Sequence, residues 1–298
     1  MSLRSALLAT IAVLGVAALF GGRAPNAAQA DPPRAAHHAT ALSAALVGAD
    51  AAIAALEAQL GEALGDARGG AALVLDGDAP PDERFDAAAL AMEMAGPPIV
   101  AARQALREVE RLGSSRVPPI AVPALPIDEA DAARLGAELR ASGTTAASVA
   151  SLRHASDAAL SDLELALAAA ADGRPDDIAR AVASGRAGLA TFAEWNATLP
   201  TLTVWTGGMR DLLDALDGIA TALRSGDAAA LAAAHDAYAV ATQEASRADR
   251  GRAIALADAA ASIGGGAPAA LATLLAQVGE CRAAVASVVL EPATEGAP

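Results

Sequence analysis

The sequence predicts an all-α protein, an antiparallel bundle of about seven long helices rich in alanine and leucine. The chain is 54% hydrophobic but only 2% aromatic, and alanine, the best helix former, is its commonest residue. Apolar residues recur at alternating spacings of three and four along most of the chain, which places them on one face of a helix. These seams have the heptad-like spacing of coiled coils.

The longest predicted helix lies between Asp227 and Ile263, where the chain has no proline. The Asp227 side chain can accept hydrogen bonds from the free N–H groups of the first turn, and the glycines at 264–266 end the helix. At 1.5 Å per residue this helix would be about 55 Å long. Its inward positions are mostly methyl groups, so neighbouring helices can approach it closely. We expect it to be the rod against which the other helices pack.

Residues 1–30 have the pattern of a secretory signal peptide, which predicts cleavage after Ala30. Arg4 precedes an apolar run at 6–20, and the small-residue sequence Ala28-Gln29-Ala30 follows. Because the run is shorter than the roughly 20 residues that span a bilayer, a retained N-terminal membrane anchor is the alternative. We expect no later run of spanning length and therefore a soluble mature chain. It would be secreted or associated with the cell envelope of a bacterium, and its composition is typical of a GC-rich genome.

Residues 31–113 are predicted to form an N-terminal helical hairpin. Its first arm should end at the glycines at 65, 69 and 70, and its second should begin near Asp82. The second seam keeps its phase across Gly96-Pro97-Pro98, so a kink or brief break is expected there. The seam residues are Leu42, Leu46, Ala49, Ile53, Leu56, Leu60 and Ala63 in the first arm, and Phe85, Met92, Ala95, Ile99, Ala102, Leu106 and Val109 in the second.

A proline-rich linker at 114–127 is predicted to separate this hairpin from the main helical bundle at 128–292. Residues 293–298 are predicted to form a disordered tail. The prolines of the linker favour extended backbone. Within the bundle we expect separate helices at 128–141 and 144–171, a helix from Asp176 to about Trp195, and extended backbone after Pro200. The later seams are Met209, Leu212, Leu216, Ile219 and Leu223, and then Leu271, Leu274, Val278, Cys281, Val285 and Val288.

All 21 basic residues are arginine, which excludes the lysine of a P-loop, of Schiff-base catalysis and of serine–lysine hydrolases. Without residues 1–30 the chain loses two arginines and no acid, so 19 basic and 35 acidic residues give a net charge of −16. Such a surface repels phosphate backbones and anionic headgroups. We therefore expect no nucleic acid partner, and membrane association only through a retained signal segment.

The single cysteine, Cys281, excludes an internal disulfide framework. It shares an apolar stripe with Leu274, Val278 and Val285. We expect it to behave as a small buried hydrophobic residue whose thiol pKa is raised.

Candidate catalytic and metal-binding residues have plainer interpretations. Ser151, His154 and Asp157 lie three residues apart on one predicted helix, but catalytic triads draw on separate elements and need oxyanion donors. We interpret them as a solvated flank. The sequences His37-His38 and Met92-Glu93-Met94 include ligand types that copper accepts, yet the spacings of di-iron, zinc and haem sites are missing. We therefore predict no catalytic residue, no metal site, no cofactor and no enzyme activity.

The segment from Phe192 to Trp205 interrupts its alanine-rich surroundings and holds both tryptophans. One interpretation is that these bulky side chains fill the end of the bundle, because a tryptophan buries a large area in a core otherwise made of small groups. The other is a partly exposed aromatic lip that receives a ligand or partner, because aromatic residues are enriched at binding hot spots. The candidate contact residues are Phe192, Trp195 and Trp205.

These observations favour an exported, acidic, all-helical bundle that acts as a protein-interaction or structural module of the cell envelope or the secreted space. It would bind a partner protein or self-associate through helix faces. The alternative is an extracytoplasmic bundle that binds a small apolar or cofactor-like ligand between its helices. The two hypotheses differ in whether a ligand or a protein surface occupies the space beside the helices.

Overall fold

The computed structural model describes residues 32–77, 79–114, 119–190, 192 and 200–290. Within these ranges the chain is almost wholly helical and has no strand, which confirms the all-α prediction. The described residues form eight helices, so the predicted number of about seven is not confirmed. In chain order they are α1 Pro32–Asp76, α2 Pro81–Met94, α3 Gly96–Gly113, α4 Glu129–Ala171, α5 Pro175–Ala190, α6 Pro200–Ser225, α7 Ala228–Gly265 and α8 Ala267–Leu290.

Helix α7 is the long rod that the sequence predicts, with both ends where they are expected. One carboxylate oxygen of Asp227, Oδ1, accepts hydrogen bonds from the backbone N–H groups of Ala229 at 2.9 Å and Ala230 at 3.0 Å. These bonds satisfy two of the first-turn donors that have no partner inside a helix. The helix ends at Gly265, within the glycine run. Its buried side chains are Ala241, Ala245, Ala248, Arg252, Leu256 and Ile263.

The predicted break in the second arm is also present. Helix α2 ends at Met94, and α3 begins at Gly96 with prolines in its first turn. The backbone N–H of Ile99 donates to the carbonyl of Ala95 at 3.0 Å, so the α3 hydrogen bonds start at once. Every predicted seam residue of the first two arms is buried: Leu42, Leu46, Ala49, Ile53, Leu56, Leu60, Ala63, Phe85, Met92, Ala95, Ile99, Ala102, Leu106 and Val109.

Glycines that were predicted to end helices lie inside them. Helix α1 continues past Gly70 to Asp76, and α4 is one helix through Gly143 instead of two. A Cβ at Gly70 would lie 2.7 Å from Cδ2 of Phe85, and one at Gly143 would lie 2.8 Å from Cβ of Phe85. Both glycines therefore make room for the buried Phe85 side chain, and tertiary packing outweighs their low helix propensity.

The prediction of extended backbone after Pro200 is wrong. Helix α6 begins at that residue and runs to Ser225. Proline suits the first turn of a helix because its φ is already close to the helical value and its missing N–H would have had no partner there. The alternation of Leu202 and Val204 with threonines therefore does not report a strand. Leu202 is buried and Val204 is 67% exposed, as on opposite sides of a helix.

The contacts group the chain into two compact units, each drawn from separate stretches of sequence. Unit 1 takes its described residues from Met1–Gly65, Ala88–Ala137 and Ala270–Pro298, and unit 2 takes its described residues from Asp66–Ala87 and Glu138–Ala269. The sequence-based division into a hairpin at 31–113, a linker at 114–127 and a bundle at 128–292 is a division along the chain, and it stays a prediction. Residues 119–127 of that linker form no helix. Residues 1–30 and 293–298 lie outside the described ranges.

Unit 1 contains an ionic contact that joins α8 to α1. The Arg282 guanidinium donates from Nε to Asp50 and from Nη1 to Glu57, both at 2.8 Å. Hydrogen bonds to Asp50 and Glu57 raise the pKa of Arg282 above its ordinary value. Gly279 leaves space for this arrangement, since a Cβ there would lie 3.3 Å from Oε1 of Glu57.

In unit 2, α6 and α7 pack closely side by side and run in opposite directions. Gly208 of α6 lies against Ala245 and Ala248 of α7, where an added Cβ would come within 3.4 Å of both. Toward the other end of α6, Gly218 lies against Ala234. Small residues on both helices therefore allow the close approach that the sequence predicts for the rod. Whether the antiparallel arrangement extends to the whole bundle stays a prediction.

Two helical segments among the described residues are long and apolar enough to cross a membrane, His37–Asp76 and Ala228–Val288. The expectation that no run of spanning length follows residue 30 is wrong by this criterion. The cause is the alanine content, because alanine counts as apolar although its methyl group buries little area. The finding rests on length and composition, which core helices of soluble proteins also satisfy. It is compatible with the membrane-anchor alternative.

Candidate functional site

Two of the three candidate contact residues lie in the interior of unit 2. Phe192 and Trp205 are fully buried, and their rings meet edge to face with centroids 5.1 Å apart and an interplanar angle of 70°. This is a preferred geometry for aromatic pairs. Burial of both rings agrees with the interpretation that bulky side chains fill the bundle here. Trp195 lies outside the described residues, so the contact-site hypothesis stays a prediction that depends on that residue.

Sequence reasoning did not single out Arg252, which lies over the Trp205 ring. Its guanidinium carbon is 5.4 Å from the ring centroid, within the range of a cation–π interaction. The Arg252 side chain is only 9% exposed. The sequence did contain a signal. A buried seam of α7 includes Ala241, Ala245 and Ala248, and Arg252 is the next position of that seam, four residues after Ala248.

Three oxygen atoms satisfy the buried guanidinium. Arg252 donates from Nε to Asp249 at 2.8 Å, and from Nη1 to the Ser156 hydroxyl at 2.5 Å and to Asp157 at 3.3 Å. The Ser156 hydroxyl in turn donates to the backbone carbonyl of Arg153 at 2.8 Å. Two carboxylates thus offset the charge of a cation that would otherwise be costly to bury. We call this group of side chains the Trp205 cluster; it consists of Phe192, Trp205, Arg252 and the three residues that accept from Arg252.

One donor of the Trp205 cluster has no acceptor among the described residues. The indole Nε1 of Trp205 is buried and has no hydrogen-bond partner in the described part of the chain. A buried donor without an acceptor costs roughly 1–3 kcal/mol. The position of Trp205 therefore rests on packing, on the Phe192 contact and on the Arg252 cation.

The residues that resemble a catalytic triad are not arranged as one. Ser151 and His154 are exposed on α4, and Asp157 pairs with Arg252 instead of with His154. The serine that lies in the hydrogen-bond network is Ser156, which is fully buried and donates to a backbone carbonyl instead of to a histidine. The interpretation of Ser151, His154 and Asp157 as a solvated flank agrees with these positions.

The described residues contain no group of three or more His, Cys, Asp or Glu side chains able to hold a metal ion. Met92 is buried in the α2 seam and Met94 is 58% exposed, so the two sulfur atoms lie on different sides of the helix. His37 is exposed near the start of α1. The histidine and methionine side chains that could bind copper therefore do not form one site among the described residues.

Cys281 is buried in unit 1 and forms no disulfide. Burial raises the pKa of its thiol above the ordinary value, as its position in the apolar stripe predicts. Of the residues predicted to share this stripe, Val278 and Val285 are buried, whereas Leu274 is only partly buried. The predicted cleavage residue, Ala30, lies outside the described residues.

A surface groove runs between α6 and α7 in unit 2, with a volume of about 540 Å³. Its lining includes three glycines, and an added Cβ at Gly207 or Gly251 would meet nothing within 4 Å. Three charged side chains line it, Asp211, Glu244 and Arg247. The remaining lining residues are Thr203, Val204, Gly208 and Ala248. The groove is open to solvent, unlike the Trp205 cluster.

Comparison of the chain with protein-family models, with curated proteins and with solved structures finds no match.

Proposed function

We propose that this protein is an exported, acidic, all-helical module that acts by binding protein through its helix faces, in the cell envelope or the secreted space. The observation that carries the proposal is a set of large apolar side chains that helices turn toward solvent. In unit 1 these are Val47, Leu90 and Met94, and in unit 2 they are Leu165, Val204, Val240 and Ile254, each between 54% and 67% exposed. Contiguous exposed apolar surface marks protein–protein interaction sites, so the proposal requires that some of these side chains form a continuous face.

The chemistry of the polar groups supports the same proposal. Three described polar residues of unit 2 are buried, Ser156, Thr206 and Arg252. Arg252 donates to Ser156 and Asp157, and Thr206 donates to the backbone carbonyl of Thr203, so these groups serve the fold instead of a substrate. A chain with 35 acidic and 21 basic residues repels nucleic acids and anionic lipids. The helix faces therefore suit a partner protein whose surface is apolar and carries charges of both signs.

Export and partner capture are tested together in the native host. The tagged full-length chain is crosslinked in intact cells, the cells are fractionated, and captured proteins are identified. We expect a mature chain that begins at Asp31, recovered outside the cytoplasm with a protein at reproducible stoichiometry. The matched control lacks residues 2–30, so it should remain in the cytoplasm and lose that protein. An exported chain that captures no protein in any fraction would overturn the proposal.

A second candidate function is the binding of a small apolar ligand, and the groove between α6 and α7 favours it. Its volume of about 540 Å³ is within the range of ligand sites, roughly 300–1,000 Å³. Native mass spectrometry of protein from its own host tests this function. A bound molecule near unit stoichiometry, lost in Gly207→Leu but retained in the control Gly61→Leu, would support it. Both substitutions place a leucine on a helix where a Cβ meets nothing within 4 Å.

A further inference from the structure

One stripe of α7 carries apolar side chains into solvent at heptad spacing. Val240 is 59% exposed and Ile254 is 62% exposed, and they lie fourteen residues apart, which is two heptads. The positions between them on the same face follow spacings of four, three, four and three. In chain order the stripe is Ala237, Val240, Glu244, Arg247, Gly251 and Ile254; it is called the α7 stripe below.

The charged pair at the centre of the α7 stripe has no hydrogen-bond or ion-pair partner among the described residues. Glu244 and Arg247 are three residues apart and exposed, yet no hydrogen bond or ion pair of either side chain occurs in the described residues. Several other arginines of unit 2 are paired, among them Arg186 with Asp214 and Arg224 with Asp176. The two charges of the stripe are therefore available to groups outside the chain.

The α7 stripe is complementary to itself when it is read in the opposite direction. With Glu244 set against Arg247 of a reversed copy, Val240 falls against Gly251 and Ile254 falls against Ala237. Each large side chain then faces a small one, and each charge faces its opposite. An added Cβ at Gly251 would meet nothing within 4 Å, so there is space for the branched side chain of Val240 from a second copy.

We propose that α7 is the interface of a homodimer in which the α7 helices of two copies pack antiparallel through this stripe. Such an interface is isologous, because each contact occurs twice about a two-fold axis. The axis passes between Glu244 and Arg247. The stripe from Ala237 to Ile254 is about 25 Å long at 1.5 Å per residue, and Val204 of α6, which is 67% exposed and lines the adjoining groove, adds apolar area.

This inference deepens the proposed function by naming its partner as a second copy, and it rests on that function only in treating helix faces as contact surfaces. Its test is separate. Sedimentation velocity of the purified full chain, over roughly 1–200 µM in about 0.15 M salt, should show a reversible monomer–dimer equilibrium. Salt at this level screens the repulsion between two acidic chains but leaves contacts within the interface largely intact.

Charge variants test the register. In Arg247→Glu the new acid of each copy faces Glu244 of the other copy, so two repulsive contacts replace two attractive ones. The dimer dissociation constant should therefore rise about 10-fold or more. The exchanged variant, Glu244→Arg with Arg247→Glu, restores opposite charges in the same register and should return to within about threefold of the unmodified chain. The matched control is Arg107→Glu, which makes the same charge change on an exposed arginine of α3 and should leave the equilibrium unchanged.

Cysteine crosslinking tests the direction of packing. An equal mixture of Val240→Cys and Gly251→Cys chains should form a disulfide-linked heterodimer on mild oxidation. Val240→Cys alone should not form one. In this register residue 240 of one copy lies opposite residue 251 of the other, so the two cysteines are eleven residues, or about 16 Å, apart along the helices. This distance is beyond the roughly 7 Å limit for a disulfide. The unmodified chain is the control, since its one cysteine is buried.

Three results would overturn the proposal. The first is a chain that stays monomeric at about 200 µM, because a dimer with a dissociation constant far above that concentration would not form appreciably. The second is a dimer whose dissociation constant Arg247→Glu does not raise. The third is efficient crosslinking of Val240→Cys to itself. A monomeric chain that still captures another protein in the host would remove the homodimer and leave the proposed function standing.

Discussion

Arg252 and Trp205 hold α7 and α6 together, with the guanidinium carbon 5.4 Å from the centre of the indole ring. The same arginine bonds to Ser156 and Asp157 of α4, so one side chain joins three helices of unit 2. Because the cation is buried and its partners are fixed, its loss should cost more than the loss of a surface charge.

Arg252→Ala should lower the free energy of unfolding by about 2–4 kcal/mol, since it removes buried stem atoms and leaves the Ser156 hydroxyl without its donor. Urea unfolding followed by circular dichroism measures the change. The control is Arg250→Ala, an exposed arginine two residues earlier on α7, which should stay within about 0.5 kcal/mol. Equal losses in the two variants would show that the cluster is not buried as described.

Trp205 should be shielded from solvent in the native chain. In a Trp195→Phe variant the remaining tryptophan is Trp205, and acrylamide should quench its fluorescence weakly in the native state and strongly in urea. The reason is complete burial of the ring under Phe192 and Arg252. Strong quenching of the native variant would contradict the packing and restore an exposed aromatic lip at this position.

The seams could be predicted from the sequence because periodicity reports which face of a helix is buried. The cap at Asp227 and the break before Gly96 could also be predicted, since both depend on residues within one turn. Contacts between helices could not. The sequence predicts a break between 141 and 144, because the Phe85 side chain that Gly143 accommodates is 58 residues away in the sequence.

The Trp205 cluster shows the same limit. The sequence marks its tryptophan as unusual, and the alanine seam marks Arg252 as inward-facing. Neither pattern indicates that Ser156, 96 residues before Arg252, supplies the hydroxyl. The sequence instead drew attention to Ser151 and His154, which lie on the exposed side of the same helix.

Removing the cap of α7 should destabilise the protein modestly. Asp227→Ala leaves the N–H groups of Ala229 and Ala230 without the carboxylate that now accepts both, which should cost about 1 kcal/mol. The melting temperature and urea midpoint measure the effect. Asp236→Ala removes an exposed acid from the interior of the same helix, so it controls for the loss of charge, and a larger effect there would contradict the capping argument.

Cys281 should react slowly in the native chain and should make stability fall at alkaline pH. Burial raises its pKa above the ordinary 9.0, so above that pH the unfolded thiol ionises before the folded one does. The contribution of the thiol is complete below the ordinary pKa and is lost as pH rises through the raised value. The difference in unfolding free energy between the unmodified chain and Cys281→Ala should therefore shrink above pH 9.0. A constant difference, or rapid native labelling by a thiol reagent, would contradict burial.

The central claim is that exposed helix faces of an exported chain bind protein, and photocrosslinking in the native host tests it most directly. A photoreactive amino acid at Val240, which is 59% exposed, should crosslink to protein in the extracytoplasmic fraction, either a second copy or another chain. The same group at Val278, which is fully buried, should crosslink only within the chain. Recovery of the Val240 chain outside the cytoplasm, free of any protein crosslink, would contradict the claim.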